Sequence, residues 1–258
     1  MSPAWDPAQY LRFADERQRP ALELLARVPA DAERVVDLGC GAGSTLAALR
    51  ERWPRAALVG VDSSAQMLEG AAGPARAVGA TLVHEDAASW RPAEPVDVVF
   101  ANALLQWLPE QDAVLRALAE HVRPGGAIAV QVPFHGDAPS HALLRDLAAR
   151  EPYAAHTRSA PQVHGVPAAH YLSLFAALGW DVDAWETTYL HVLAGPDPVF
   201  EWVRGTGARP VLEALPPDLA DAFAAEYRAA LREAYPPRSF GTVLSFRRTF
   251  CVAVRPAT

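Results

Sequence analysis

The chain has no lysine, two cysteines and no apolar run of eighteen residues. Each lack excludes something. Without lysine there is no phosphate-cradling loop ending Gly-Lys-Ser/Thr. All fixed positive charge in the 258 residues is arginine, so an arginine alone is poor evidence of a site. The formal net charge of -7 supplies no basic face for nucleic-acid phosphates. Cys40 and Cys251 are too far apart in sequence to read as a metal motif or a disulfide framework. The eight histidines are scattered, with no pair spaced to share one helix face, and no metal is expected. No membrane span is expected. Met1-Ser2-Pro3-Ala4-Trp5-Asp6 lacks the basic region and apolar core of a secretion signal, so a cytoplasmic location is expected. With 51% hydrophobic residues, the chain can bury a large core as one domain with an embellishment.

What is present centres on Val35-Val36-Asp37-Leu38-Gly39-Cys40-Gly41-Ala42-Gly43. A β-branched run leads into three alternate glycines, and a helical pattern follows from Thr45 to about Arg52. Strand, tight turn and helix start form the context in which a glycine loop meets a nucleotide. A dinucleotide fingerprint would need glycine where Ser44 stands. Instead Asp37 precedes the first glycine by two residues, and a carboxylate at a strand's end suits a cationic ligand group better than a pyrophosphate. Ala57–Asp62 reads as a second strand, ending in an acid about twenty residues after the loop, where ribose hydroxyls are recognised. Asp62 could equally cap the next helix through Ser63-Ser64, and the two roles are compatible. Met67 on that helix could cover an adenine. Thr81–Ala87 reads as a third strand ending in Glu85 and Asp86. Val96–Asn102 reads as a fourth, followed by Leu104-Leu105-Gln106-Trp107-Leu108.

The Asp37–Gly43 pattern resembles the first motif of the class I S-adenosylmethionine-dependent methyltransferases. The resemblance implies that the loop holds the methionine part of the cofactor, with its ammonium near Asp37. It also implies that Asp86 bonds the adenine amino group and that Asn102 lies where the methyl group is presented. The implied cofactor set is Asp37, Gly39, Gly41, Gly43, Asp62, Ser63, Met67, Asp86, Ala87, Asn102, Gln106 and Trp107.

In chain order, residues 7–28 read as a first helix broken at Pro20. Its Arg17 and Arg19 would ordinarily be a solvated face, and the functional reading turns one of them toward substrate. Strand and helix then alternate to a fifth strand at Ala127–Val132, after a Pro124-Gly125-Gly126 turn. That alternation predicts a doubly wound α/β sheet. Helical patterns follow over Ser140–Arg150 and Tyr171–Leu178, the latter with Gly179 as C-cap, and a proline- and histidine-rich loop lies between them. Val182–Val192 and Phe246–Val254 read as the last two strands. Helices over 198–205 and 217–234 lie between them. Residues 194–238 are therefore expected as a helical lid and 1–30 as a helical cover on a single methyltransferase domain.

The resemblance narrows further. Trp5-Asp6-Pro7, Phe13-Ala14, Glu16-Arg17, Arg19-Pro20, Phe100-Ala101-Asn102-Ala103, Leu105-Gln106-Trp107-Leu108-Pro109, Thr187-Thr188-Tyr189, Trp202-Val203, Thr206-Gly207, Arg209-Pro210 and Val252-Ala253-Val254-Arg255 look like the trans-aconitate methyltransferase family. This implies a seven-stranded, mostly parallel sheet with an antiparallel last strand, and methyl transfer to a carboxylate of trans-aconitate or a similar small polycarboxylate. A carboxylic acid with pKa near 4 is already ionised at neutral pH, so no general base is expected. Catalysis by proximity and desolvation suffices. The other carboxylates call for arginine forks. Arg17, Tyr189, Trp202, Thr206, Arg209 and His164 are the expected substrate residues. Tyr189 as a strand residue, Trp202 as core and Thr206 as a helix terminus are the competing readings. Two other functions stay open on sequence: transfer to a malonyl thioester on a carrier protein, and a non-catalytic cofactor-binding regulator. No nucleic-acid or membrane partner is expected, and a monomer is compatible with the sequence.

Overall fold

A computed structural model describes residues 14–29, 31–134, 136–161 and 163–257, with side chains from Gln18 onward. In chain order the elements are α1 (Ala14–Ala26), β1 (Arg34–Leu38), α2 (Leu46–Arg52), β2 (Ala57–Asp62), α3 (Ala65–Val78), β3 (Thr81–His84) and β4 (Val96–Asn102). A 3-10 turn (Leu105–Trp107), α4 (Gln111–Glu120), β5 (Val122–Pro133), α5 (Pro139–Ala148), α6 (Ala154–Thr157) and α7 (Ala168–Ala176) follow. The chain ends with β6 (Asp181–Leu193), α8 (Pro198–Arg204), α9 (Arg209–Ala214), α10 (Pro217–Ala234) and β7 (Thr242–Val254).

The strands form one seven-stranded sheet in the order β3-β2-β1-β4-β5-β7-β6. Strands β3, β2, β1, β4 and β5 pair in parallel, and β7 runs antiparallel to β5. The doubly wound sheet expected from the strand–helix alternation is therefore present, with the antiparallel last strand that the family resemblance implies. Register fixes which side chains share a face. Val36, Leu38, Val99, Ala101, Ile128, Val130, Cys251 and Ala253 point one way and join the main core with Leu115 of α4 and Phe175 of α7. Asp37 pairs with Phe100, and Asn102 with Gln131. These residues, with Phe250 and Arg248, lie on the opposite face. Helix α1 belongs to that face: Ala21, Leu22 and Leu25 line one small cavity with Thr45, Leu49 and Phe100. Gln18 Nε2 donates to the Ser44 carbonyl at 3.1 Å.

By contact density the chain divides into two units. The first comprises residues 1–133, 164–187 and 248–258, and the second 134–163 and 188–247. The first holds most of the sheet. In the second, Tyr227 of α10 donates to the Ser140 carbonyl at 2.7 Å, and Phe200, Phe223 and Tyr227 are fully buried. Helices α8, α9 and α10 stand between β6 and β7, in the segment expected to be inserted there.

Several boundaries differ from expectation, for physical reasons. Pro20 does not break the first helix: α1 continues through it. Strand β3 stops at His84, so Glu85 and Asp86 lie in the following turn. Asp86 Oδ1 accepts from Ala88 N at 2.9 Å, a side-chain turn that competes with strand pairing. Strand β5 starts at Val122 rather than Ala127. Pro124-Gly125-Gly126 is an irregularity within it, bridged by Gly125 N to Arg255 O and Arg255 N to Gly126 O, both 2.8 Å. The helix expected over Ser140–Arg150 runs Pro139–Ala148. Helix α7 begins at Ala168, because Pro167 is preset for a helix entry, and ends before Gly179 at φ +75°. Trp180 N closes that end on Phe175 O at 3.1 Å. Helices α6 and α9 were not expected; six residues or fewer are too short to show a helical period.

Candidate active site

The glycine loop joins β1 to α2. Gly39, Gly41 and Gly43 have φ of +75°, +54° and +79°, a region open to glycine at little cost. At Gly39 a Cβ would stand 2.8 Å from Leu104 Cδ1. At Gly41 a Cβ would project into open space, with no heavy atom of the described residues within 4 Å. The first position is thus glycine for packing, and the second leaves backbone open to a ligand. The loop is hung from β2: Gly39 N and Cys40 N donate to Val61 O at 2.8 and 3.0 Å.

Asp62 braces the same loop. Its Oδ2 accepts from Gly41 N at 2.9 Å and its Oδ1 from Ser64 N at 2.8 Å. Ser64, not Asp62, is the side-chain cap of α3, accepting from Met67 N at 3.3 Å. Each Asp62 oxygen keeps a further lone pair, so ribose binding and bracing are compatible. Asp37 is 1% exposed, and Thr45 Oγ1 donates to its Oδ2. Burial pushes its carboxyl up from 3.8 to about 7; the Thr45 bond opposes this and the Asp62 charge adds to it. Burial and the same two acids push the Cys40 thiol up as well, so it is not a nucleophile.

The turn after β4 completes this end of the sheet. Ala103 has φ +56°, a cost borne by few non-glycine residues. Its N donates to Gln131 O at 2.8 Å, and its carbonyl accepts from Gln106 Nε2 at 2.6 Å. A carbonyl only accepts, so the Gln106 amide orientation is fixed and its Oε1 faces the other way. Among the described residues, Gln106 Oε1 and Asn102 Oδ1 are buried acceptors without a hydrogen-bond partner. Orphaned acceptors are costly unless a ligand donor reaches them. A buried acid, two orphaned acceptors and an open loop backbone fit a ligand carrying an ammonium group. Met67 and Ala87 are buried, and Asp86 and Ser63 are exposed at the neighbouring strand ends.

The expected substrate residues divide. His164 belongs to the first unit. Its N donates to Gln106 O at 2.7 Å and its carbonyl accepts from Gln111 Nε2 at 3.0 Å, which puts its exposed side chain beside the Gln106–Trp107 turn. Tyr189, Trp202, Thr206 and Arg209 belong to the second. Trp202 is 1% exposed and stacks on His191 at 4.6 Å, so it is core of that unit. Tyr189 is buried, with its ring 6.1 Å from that of His191. The Thr206 hydroxyl lies 3.4 Å from the carbonyls of Trp202 and Val203. Arg209 Nε pairs with Glu213 at 2.6 Å, and its side chain is 13% exposed. The side chain of Arg17 and residues 1–13 of the expected cover lie outside the described residues.

Thr45, Ala103, Gln111, Gln131 and Arg248 were not singled out from sequence. Thr45 could have been found: a hydroxyl at the helix start behind a strand-end acid has few other tasks. Gln131 and Arg248 become meaningful only once β5 and β7 are paired. A groove in the second unit contains none of the expected residues, and its Arg228 and Arg232 are paired with Asp197. The described residues hold no cluster of three or more His, Cys, Asp or Glu able to bind a metal ion, and no helix long and apolar enough to cross a membrane.

Comparison with known proteins agrees with this geometry. Residues 35–126 match the family model described as a methyltransferase domain. The trans-aconitate 2-methyltransferase of Streptomyces avermitilis is 49% identical over 266 residues, covering 99% of this chain and 98% of its own. That of Azoarcus sp. is 49% identical, with 98% and 100% covered. Among solved structures, the YcgJ protein from Bacillus subtilis superposes with a TM-score of 0.63 at 17% identity, covering 92% of this chain and 99% of that one. Phosphoethanolamine N-methyltransferase 2 of Haemonchus contortus, solved with S-adenosyl-L-methionine, gives 0.60 at 17% identity, with 96% and 56% covered. The chain is an S-adenosylmethionine-dependent class I methyltransferase and belongs to the trans-aconitate 2-methyltransferase family.

Proposed function

We propose that the enzyme methylates one carboxylate of trans-aconitate, or of a similar small polycarboxylate, to a monomethyl ester in the cytoplasm. The observation that carries this reading is near-half identity, from end to end, to relatives named for that reaction. The carrier-protein and non-catalytic alternatives have no comparable support.

When bound, S-adenosylmethionine supplies an electrophilic methyl group that passes to a carboxylate oxygen and leaves S-adenosylhomocysteine. The chain's residues bind and orient. Asp37, Asn102 Oδ1 and Gln106 Oε1 accept from the cofactor ammonium over the Gly39–Gly43 loop. Asp62 takes the ribose hydroxyls, with Ser63 at the same strand end. Asp86 and Ala87 receive the adenine against Met67, and Trp107 closes the site. The acceptor is ionised before it arrives, so no residue need remove a proton. Arg209 and Arg17 hold the non-reacting carboxylates by their planar forks. His164 adds a donor, and Tyr189, Trp202 and Thr206 shape the cavity wall. Exclusion of water from the site is the remaining requirement of the transfer. The substrate is a small molecule, with no nucleic-acid partner.

The test is product identification by mass spectrometry after incubation with S-adenosylmethionine and trans-aconitate. A monomethyl ester, formed in step with S-adenosylhomocysteine, is expected. Absence of ester at millimolar acceptor would refute the substrate assignment.

A further inference from the structure

Arg248 is a buried arginine at 5% exposure, on the strand face that also carries Asp37 and Asn102. The placement follows from register. Asn102 of β4 pairs with Gln131 of β5, and Gln131 pairs with Phe250 of β7. Arg248, two residues before Phe250, emerges on the same face and reaches diagonally, Nη1 donating to Gln131 Oε1 at 3.0 Å. Strand β7 is antiparallel, so its first half meets the carboxyl end of β5. In open α/β sheets that is the end where ligands bind.

The polarity along this row is ordered. Guanidinium only donates, so the Gln131 atom facing Arg248 must be oxygen and Nε2 must point away from it. That amide nitrogen is buried, in a side chain 0% exposed, and has no hydrogen-bond partner among the described residues. The row therefore reads acceptors first (Asp37, Asn102 Oδ1, Gln106 Oε1), then donors (Gln131 Nε2, Arg248). Acceptors suit the cationic cofactor, and donors beside them suit an anion. Gln131 ties the two halves together, since its carbonyl also holds Ala103 N at the strained turn. Elsewhere this face is apolar: Phe100, Ala129, Phe250 and Val252 are all buried.

We propose that Arg248 and Gln131 form a carboxylate-binding subsite at the carboxyl end of the sheet, which selects di- and tricarboxylate acceptors. The proposal deepens the methyl-transfer reading above and rests on it for the identity of the acceptor. The guanidinium takes one non-reacting carboxylate of the acceptor, Gln131 Nε2 adds a neutral donor, and Gln131 Oε1 keeps the fork aligned.

The test is calorimetric titration of trans-aconitate into protein saturated with S-adenosylhomocysteine, with KM and kcat measured in parallel. The variants are Arg248→Met, Arg248→Lys and Gln131→Glu. Arg248→Met should weaken trans-aconitate at least tenfold and raise KM by a similar factor, with S-adenosylhomocysteine affinity within threefold of wild type. Arg248→Lys should recover part of the loss. Gln131→Glu keeps the arginine but sets a carboxylate against it, so it should also weaken the acceptor at least tenfold in a folded protein. It decides the matter if Arg248→Met does not fold. Wild-type affinity in Gln131→Glu and Arg248→Met, or no binding by the wild type at millimolar concentration, would overturn the subsite. Acceptor binding without turnover in the wild type, lost in the variants, would sink the methyl-transfer reading and leave the subsite standing.

Discussion

With the cofactor ammonium beside Asp37, as proposed, cofactor affinity should depend on pH below neutrality. Its carboxyl is buried and held up at about 7, against 3.8 in an exposed chain. A cationic ammonium beside it requires the ionised form, so binding below pH 7 must expel a proton. Affinity for S-adenosylhomocysteine should fall about tenfold per pH unit below 7, to roughly one hundredth of its plateau at pH 5, while the ligand's amino group stays charged. The folding side has the opposite sign. Below about pH 4 both folded and unfolded chains hold the proton. Between about 4 and 7 the unfolded chain releases it while Asp37 keeps it, so stability of the ligand-free protein falls as pH rises through that window. The full shift of about three pKa units corresponds to about 4 kcal/mol. The assay is titration calorimetry between pH 5.0 and 7.5 in two buffers of different ionisation enthalpy, which counts protons released. Asp37→Asn should abolish the slope, lower the plateau affinity and raise Tm near pH 8, because it removes a buried charge yet can still accept from Thr45. Affinity independent of pH, with no proton release at pH 6, would refute the reasoning.

Other outcomes follow from the same geometry. Asp62→Ala strands the Gly41 and Ser64 amides and should weaken S-adenosylhomocysteine by about 1–3 kcal/mol, read by calorimetry. Gly39→Ala drives a methyl group into Leu104 and should lower Tm clearly, whereas Gly41→Ala, facing open space, should lose cofactor affinity out of proportion to its Tm. Arg209→Ala should raise KM for trans-aconitate strongly and lower kcat less, with Arg209→Lys recovering only part, because the remote carboxylates contribute uniform binding. Dialysis against a chelator should leave turnover unchanged, and restoration of lost activity by Mg²⁺ would show the acidic strand ends to be a metal site.

Much of the strand and glycine-loop framework was legible because its signals are local. Three alternate glycines after a β-branched run, and acids at successive strand ends, need no tertiary information. Strands β2 and β4 match the sequence reading residue for residue. What stayed hidden depends on distance in the chain. Gln131 and Arg248 are 117 residues apart, and only strand pairing joins them. Nothing in the sequence marks Ala103 as strained, since alanine rarely adopts positive φ and the turn imposes it from outside. Trp202 shows the reverse limit: an aromatic residue in a family motif is a core residue of its unit, and spacing could not separate the two roles.

The most direct test of the central claim is a competition assay of labelled methyl transfer. Trans-aconitate, a dicarboxylate, a monocarboxylate and the uncharged triamide would be offered at equal concentration, with initial rates read at substrate well below KM. Trans-aconitate should dominate, the dicarboxylate should follow, and the monocarboxylate and triamide should be negligible. Equal transfer to the triamide, or transfer to none of the four, would contradict carboxylate recognition as the basis of this enzyme's function.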